Sequence, residues 1–297
     1  MPPSQEALPA QYQPSAYSND ITILRRLRFR PDPAIYGPGP YPVAITAHAG
    51  GFRDVDAYGS TSQRWADKDL AKAGFLVFSI DHRLAPDGLI LNQHMHDNTT
   101  PEGIASGRPP QQSNDVKQQI LAAKYDSQCN GVVFFVGGSS GGTHGLWAAL
   151  DPAPTVPGWS AAEFPKAVVT LSAPCDLSSR VGDIPADVAH FALDVGNYTN
   201  TTDPGGFPYQ YSVSPIALVA AAMNIPPIRL FTTFSDSVPR QQSDEMKAAL
   251  LARGVEVVEV TIQGSSLHAF NYWHTKESAT GPYVSDDVIA FLKSHLP

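Results

Sequence analysis

The residues best able to do chemistry lie in VVFFVGGSSGGTHGLWAAL, residues 132–150. An all-apolar run passes through paired glycines and serines into a helix-forming stretch. A serine on such a strand–turn–helix corner is presented on strained backbone, with small residues two before and two after it so that strand and helix can close together. Two registers fit. Ser139 is flanked by Gly137 and Gly141, and Ser140 by Gly138 and Gly142. Ser139 is preferred, because the apolar run ends at Val136 and the third residue of the turn then falls at 139. The alternative is a glycine-rich turn that cradles a phosphate. GGSSGG carries neither the lysine of a P-loop nor the G-x-G-x-x-G spacing of a dinucleotide site.

A serine hydroxyl attacks only when a base removes its proton and an acid holds that base. On this kind of corner the acid and then the base follow the serine along the chain. Asp236 in FTTFSDSVP lies just past one strand-like run, and His268 in QGSSLHAF lies in the loop after the next. Asp244 falls inside a helical stretch and His274 further from a strand end, so both are poorer candidates. The oxyanion of a tetrahedral intermediate needs backbone N–H donors. These are expected from Ser140 and from Gly50 and Gly51 in HAGG, residues 48–51, at the end of YPVAITA. His48 is expected to brace that loop.

The elements that must position these residues read as alternating strands and helices from residue 43 onward, which implies an α/β fold with a mostly parallel sheet. Strands are expected at 20–30, in YPVAITA, in FLVFSIDHRLAP, at 132–136 and 166–174, in IRLFTTFSD and in VEVVEVTI. Helices are expected at 61–73, with Trp65 and Leu70 on the apolar side, at 113–126 with Ser113 as N-cap, in QQSDEMKAALLARG, and at 285–295. Residues 1–19 read as a loose arm and 20–297 as a single domain. Insertions near 86–112 and 177–224 are expected to cap the site. Tyr198, Phe207, Tyr209 and Tyr211 crowd the second insertion, either packing it or lining a substrate pocket.

The ordered motifs HAGGF, DHRLAP (81–86), SNDVKQQILAAKY (113–125), GGSSGG (137–142), SDSVP (235–239) and SLHAF (266–270) resemble the α/β-hydrolases of the hormone-sensitive-lipase and feruloyl/acetyl-esterase branch. The resemblance spans about residues 20–297. It implies a serine esterase, with Ser139, Asp236 and His268 as catalytic residues, Gly50, Gly51 and Ser140 at the oxyanion hole, and no cofactor; the absence of a long amphipathic lid in the sequence points to short-chain acyl or aryl esters. The family serine is the third residue of its six-residue elbow, which matches Ser139. The resemblance also implies that Asp81 and Arg83 form a buried ionic brace, with Asp115 in a similar role. Ala49 stands where the first glycine of an HGGG loop would be, and His82 replaces the tyrosine of DYRLAP. These departures bear on substrate. An amidase, peptidase or formamidase, or a non-catalytic binder on the same fold, remains open at this stage.

Composition narrows the classes further. The chain has 297 residues, with 20 Lys+Arg against 28 Asp+Glu and a formal charge of −8. That balance argues against a nucleic-acid partner and a polybasic membrane anchor. No 18-residue apolar run is present, so no membrane insertion is expected. Two cysteines, Cys129 and Cys175, are expected unpaired. His94 and His96 lack a third ligand at a useful spacing, so no metal is expected. Residues 1–20 show no basic, apolar leader, which reads as cytoplasmic, with secretion open if a leader has been removed. The sequons at Asn98, Asn197 and Asn200 are weak signals of secretion. A small-molecule ester is the expected partner, and the oligomeric state is left open.

Overall fold

The computed structural model describes residues 4–12, 22–54, 61–85 and 107–297. One eight-stranded sheet organises them, in the order β1-β2-β4-β3-β5-β6-β7-β8. The strands are β1 (Ser4–Tyr12), β2 (Thr22–Arg30), β3 (Tyr41–Ala47), β4 (Leu76–Ile80), β5 (Cys129–Gly138), β6 (Val168–Leu171), β7 (Ile228–Thr233) and β8 (Val257–Ile262). β1 and β2 run antiparallel to their neighbours, and β3 to β8 are parallel throughout. Seven helices matter below: α1 (Gln63–Lys72), α2 (Gln111–Lys124), α3 (Ser140–Leu150), α4 (Pro185–Thr199), α5 (Phe207–Ser212), α6 (Gln241–Leu251) and α7 (Val284–Ser294).

The apolar runs of the central strands follow from burial on both faces, as parallel sheets require. Val133 and Phe135 of β5 join the core under α2, α3 and α6, with Ile120, Leu146 and Met246. Phe134 and Val136 point the other way, into a core with Leu70, Val288 and Leu292. A smaller third cluster unites Phe52 and Ala85 with Leu177, Phe191, Val195 and Tyr198, and so pins the second insertion onto the loop after β3.

Several expectations are corrected. Ser4–Tyr12 was read as part of a loose arm, yet it pairs with β2 over its whole length. Pro9 fits because β1 is an edge strand, where a missing N–H can face outward. α2 starts at Gln111, with Pro110 at the N-cap position, so Ser113 is not its cap. Trp65 is 44% exposed rather than on the buried side, and its ring stacks on His274 at 5.6 Å. Asn197 and Asn200 are each only 7% exposed, so neither is placed to carry a glycan in this fold. Both cysteines are unpaired. His94, His96 and Asn98 lie outside the described residues.

The ionic brace includes Asp115. Arg83 grips Asp115 of α2, with Nε 3.0 Å from Oδ2 and Nη2 3.0 Å from Oδ1, and the Arg83 backbone N–H donates to Oδ2 at 2.8 Å. The two side chains are 4% and 0% exposed. Removing one partner of a buried pair strands the other charge, at a cost of about 3–5 kcal/mol. Asp115→Ala should lose that much stability in urea denaturation. Asp244→Ala, which removes the part-exposed pair between Arg240 and Asp244 at the start of α6, should lose at most about 1 kcal/mol. Equal losses would contradict this account of the brace.

Candidate active site

The corner at Ser139 is built by close backbone contact. A Cβ on Gly141 would lie 2.5 Å from the His48 carbonyl and 2.6 Å from that of Ala47, and a Cβ on Gly137 would lie 2.5 Å from the Gly141 carbonyl. Only hydrogen fits at these two positions, so the start of α3 can rest on the end of β3. Ser139 itself has φ 49° and ψ −122°, backbone that a non-glycine residue adopts only where its surroundings enforce it. Its N–H is held by the Leu171 carbonyl at 2.7 Å. Ser139 lines an open cavity of about 250 Å³. Ser140 is fully buried in the first turn of α3, where its N–H is one of the donors that a helix leaves without an internal partner.

Asp236 and His268 come together across β7 and β8. His268 Nδ1 lies 2.6 Å from Asp236 Oδ1, with the aspartate side chain at 0% exposure and the imidazole at 26%. His268 lines the same cavity as Ser139. Burial pushes the Asp236 carboxyl up. The hydrogen bond and charge of His268, with further donors, outweigh that and hold it below the usual carboxylate range. The Val238 N–H donates to Oδ1 at 3.1 Å and the Thr233 N–H to Oδ2 at 3.3 Å. An ionised Asp236 only accepts, so Nδ1 of His268 bears a hydrogen and the neutral tautomer compatible with this contact is the one with its lone pair on Nε2.

Sequence reasoning missed Ser172. Its hydroxyl donates to Asp236 Oδ2, accepts from the Ala269 N–H at 3.2 Å and lies 3.0 Å from the Tyr272 hydroxyl. One serine thus ties the loop after β6 to both the aspartate and the histidine loop. The signal was faint: a serine just past a buried strand, in LSAP, with nothing to separate it from an ordinary turn former. Its φ of 59° marks it only once the backbone is seen. The passed-over candidates lie elsewhere. His274 pairs with Asp69 at 2.6 Å, and Asp244 pairs with Arg240 on α6.

Gly50 and Gly51 line the cavity with φ of 143° and 57°, and Phe52 follows at 68°. The loop is held from behind. Gln112 Nε2 donates to the Phe52 carbonyl at 2.6 Å, and the Ala85 N–H donates to it at 2.9 Å. Gln112 Oε1 meets His144 Nε2 at 2.7 Å, and His144 Nδ1 meets Ser113 Oγ at 3.0 Å. Ser113 is therefore a strut of this network. His48 stacks on His82 at 4.3 Å, and His82 meets His144 edge-on at 5.0 Å. The Phe52 ring stacks on Tyr198 at 4.2 Å, so this aromatic residue of the insertion packs the loop. Tyr198 and Tyr209 also border a second cavity of about 260 Å³ with Pro109, Pro110 and Trp147. Phe207 lies under the Arg180 guanidinium, and Tyr211 is 48% exposed. Among the described residues, no group of three His, Cys, Asp or Glu is placed to hold a metal ion.

This geometry can be set beside known proteins. No protein-family model and no curated protein sequence matches the chain. Solved structures do. A hyperthermophilic esterase from the archaeon Pyrobaculum calidifontis is similar at a TM-score of 0.67 and 22% identity, over 98% of this chain and 83% of that one. Brefeldin A esterase, a bacterial homologue of human hormone-sensitive lipase, gives 0.68 and 18% over 98% and 77%. A bacterial heroin esterase gives 0.67 and 20% over 99% and 85%.

The chain has the α/β-hydrolase fold.

Behind the loop of this α/β-hydrolase, burial disfavours the charged forms of His82 and His144. Burial lowers His144 to about 3, with the nearby His48 adding to the effect. Burial likewise holds His82 well below its ordinary 6.5, with His48 and His144 reinforcing it. An unfolded histidine takes up a proton near pH 6.5. Between 6.5 and about 3 the unfolded chain therefore binds protons that folded His144 does not, and stability falls as pH drops through that window. Each such histidine contributes a slope of about 1.4 kcal/mol per pH unit. His144→Gln should flatten the pH dependence of urea-unfolding free energy by about one proton in this range. A slope unchanged from wild type would refute the assignment.

Proposed function

We propose that the chain hydrolyses carboxylic esters through a serine acyl-enzyme. The observation that carries this reading is the 2.6 Å contact of His268 Nδ1 with buried Asp236, combined with His268 and Ser139 facing one cavity. The structural neighbours named above are esterases, which points the same way.

With Nδ1 committed to Asp236, Nε2 of His268 accepts the Ser139 proton as Oγ attacks the ester carbonyl. The Asp236 carboxylate stabilises the imidazolium that forms. The N–H groups of Gly50, Gly51 and Ser140 take the negative charge on the carbonyl oxygen. Ser140 also brings the positive end of the α3 dipole to that oxygen. The imidazolium returns its proton to the leaving alkoxide, the acyl group stays on Oγ, and a water activated by Nε2 releases the acid. No step calls for a cofactor. The substrate is a small-molecule ester. A volume of about 250 Å³, walled on its apolar side by Phe191, Pro174 and Val238, suits a short acyl or aryl ester better than a long lipid chain.

Ser139→Ala should lose p-nitrophenyl acetate hydrolysis on the order of 10³-fold or more, by comparison with other serine triads. It should also lose labelling by a fluorophosphonate probe. Full activity in that variant would sink the proposal, and loss confined to Ser140→Ala would move the nucleophile by one residue.

A further inference from the structure

The cavity before Ser139 has one charged wall. Arg53 and Asp54 follow Phe52 on the glycine loop, and His190 and Asp194 reach the cavity from α4. Arg53 Nε lies 3.2 Å from Asp194 Oδ1, and His190 Nε2 lies 3.3 Å from Oδ2. The Asp194 side chain is 14% exposed and that of Arg53 27%. A Cβ built on Gly51 would lie 2.6 Å from Asp194 Oδ2. The carboxylate therefore rests directly on the α-carbon of a residue whose N–H the ester reading assigns to the oxyanion.

A bare carboxylate is badly placed there. The transition state gathers negative charge on the carbonyl oxygen, and a like charge a few ångströms away in a partly dry site slows the reaction by a factor on the order of ten. The position is nonetheless imposed by packing. Phe191 and Val195, neighbours of Asp194 on α4, belong to the cluster that clamps Phe52. Arg53 is fixed on the same turn, since its N–H and that of Asp54 both donate to the Gly50 carbonyl, at 3.1 and 2.9 Å.

We propose that Arg53 acts on the reaction through Asp194, cancelling the charge of a carboxylate that the docking of α4 seats against Gly51. The inference rests on the ester-hydrolase reading and adds a positioning residue to it. Arg53 also lines the cavity, and its proposed effect runs through the contact with Asp194. The pair is part-exposed, so solvent trims its effect, but the sign of each substitution is fixed by electrostatics alone.

The test is a charge cycle on the intact chain, read with p-nitrophenyl acetate and with phenylboronic acid, whose adduct with a serine is a tetrahedral anion. Arg53→Gln should lower kcat by roughly three- to tenfold, with KM changed by less than about twofold, and should weaken boronate inhibition by a similar factor. Asp194→Asn keeps the shape, drops the charge and should raise kcat above wild type. The double variant should be faster than Arg53→Gln. A merely structural ion pair gives a different order, with Asp194→Asn slowed like Arg53→Gln and the double variant no faster. That order overturns the proposal, as does an Arg53→Gln enzyme with wild-type kcat. If Arg53→Gln does not fold, folded Asp194→Asn decides, and a lowered kcat there overturns the proposal. A wild-type protein that neither hydrolyses the ester nor takes a fluorophosphonate on Ser139 overturns the esterase reading and this proposal with it. An active wild type with the wrong variant order overturns only the role of Arg53.

Discussion

The contact between Gly141 and the carbonyls of Ala47 and His48 is the constraint on which the site depends. It sets how near α3 comes to the end of β3, and so how near the Ser139 hydroxyl comes to the loop at Gly50 and Gly51. Nothing larger than hydrogen fits between the two backbones. The parallel register does the rest. β3 pairs with β5, β5 with β6, β6 with β7 and β7 with β8, all running the same way. The chain leaves each of these strands at one end of the sheet, and the loop glycines, Ser139, Ser172, Asp236 and His268 collect there.

Behind the front row of residues, the structure trades charge for shape. His48, His82 and His144 form a packed aromatic group under the loop, and burial holds the latter two uncharged. Gln112 and Ser113 supply hydrogen bonds that uncharged rings can accept and donate. In the relatives that the sequence resembles, a tyrosine stands at the place of His82. Here an imidazole fills that space, stacked on the histidine that opens the HAGG loop. The insertion contributes in the same manner, through the Tyr198 ring lying on Phe52.

How much of this was legible in the sequence depended on how local each signal was. The elbow announced itself because strand, glycines and helix are contiguous, and Asp236 and His268 followed from chain order and strand ends. The choice of Ser139 over Ser140 as proposed nucleophile came from where the apolar run stops. Ser172, Ser113 and Asp194 were not readable, because each gains its role from a partner 97, 31 or 141 residues away. Short-range pattern carries no information about such pairings. Ser4–Tyr12 was misread because its polar, proline-bearing sequence lacks the alternation of a half-buried strand. Its hydrogen bonds to β2 come from the backbone, which composition does not report. The brace at Arg83 was right in kind, and its contact with Asp115 depends on how α2 docks.

The parallel order of the sheet also bears on how the protein comes into being. A chain emerging from a ribosome folds from its N-terminal side. It holds the whole of β3, β5 and the serine corner before β8 and His268 have been made. Under the proposed mechanism the serine has no base until β8 joins β7, the last of the parallel pairings in chain order. Nascent chains of this protein would therefore be born chemically inert, with hydrolytic competence switched on only as the final quarter of the polypeptide is laid against the sheet.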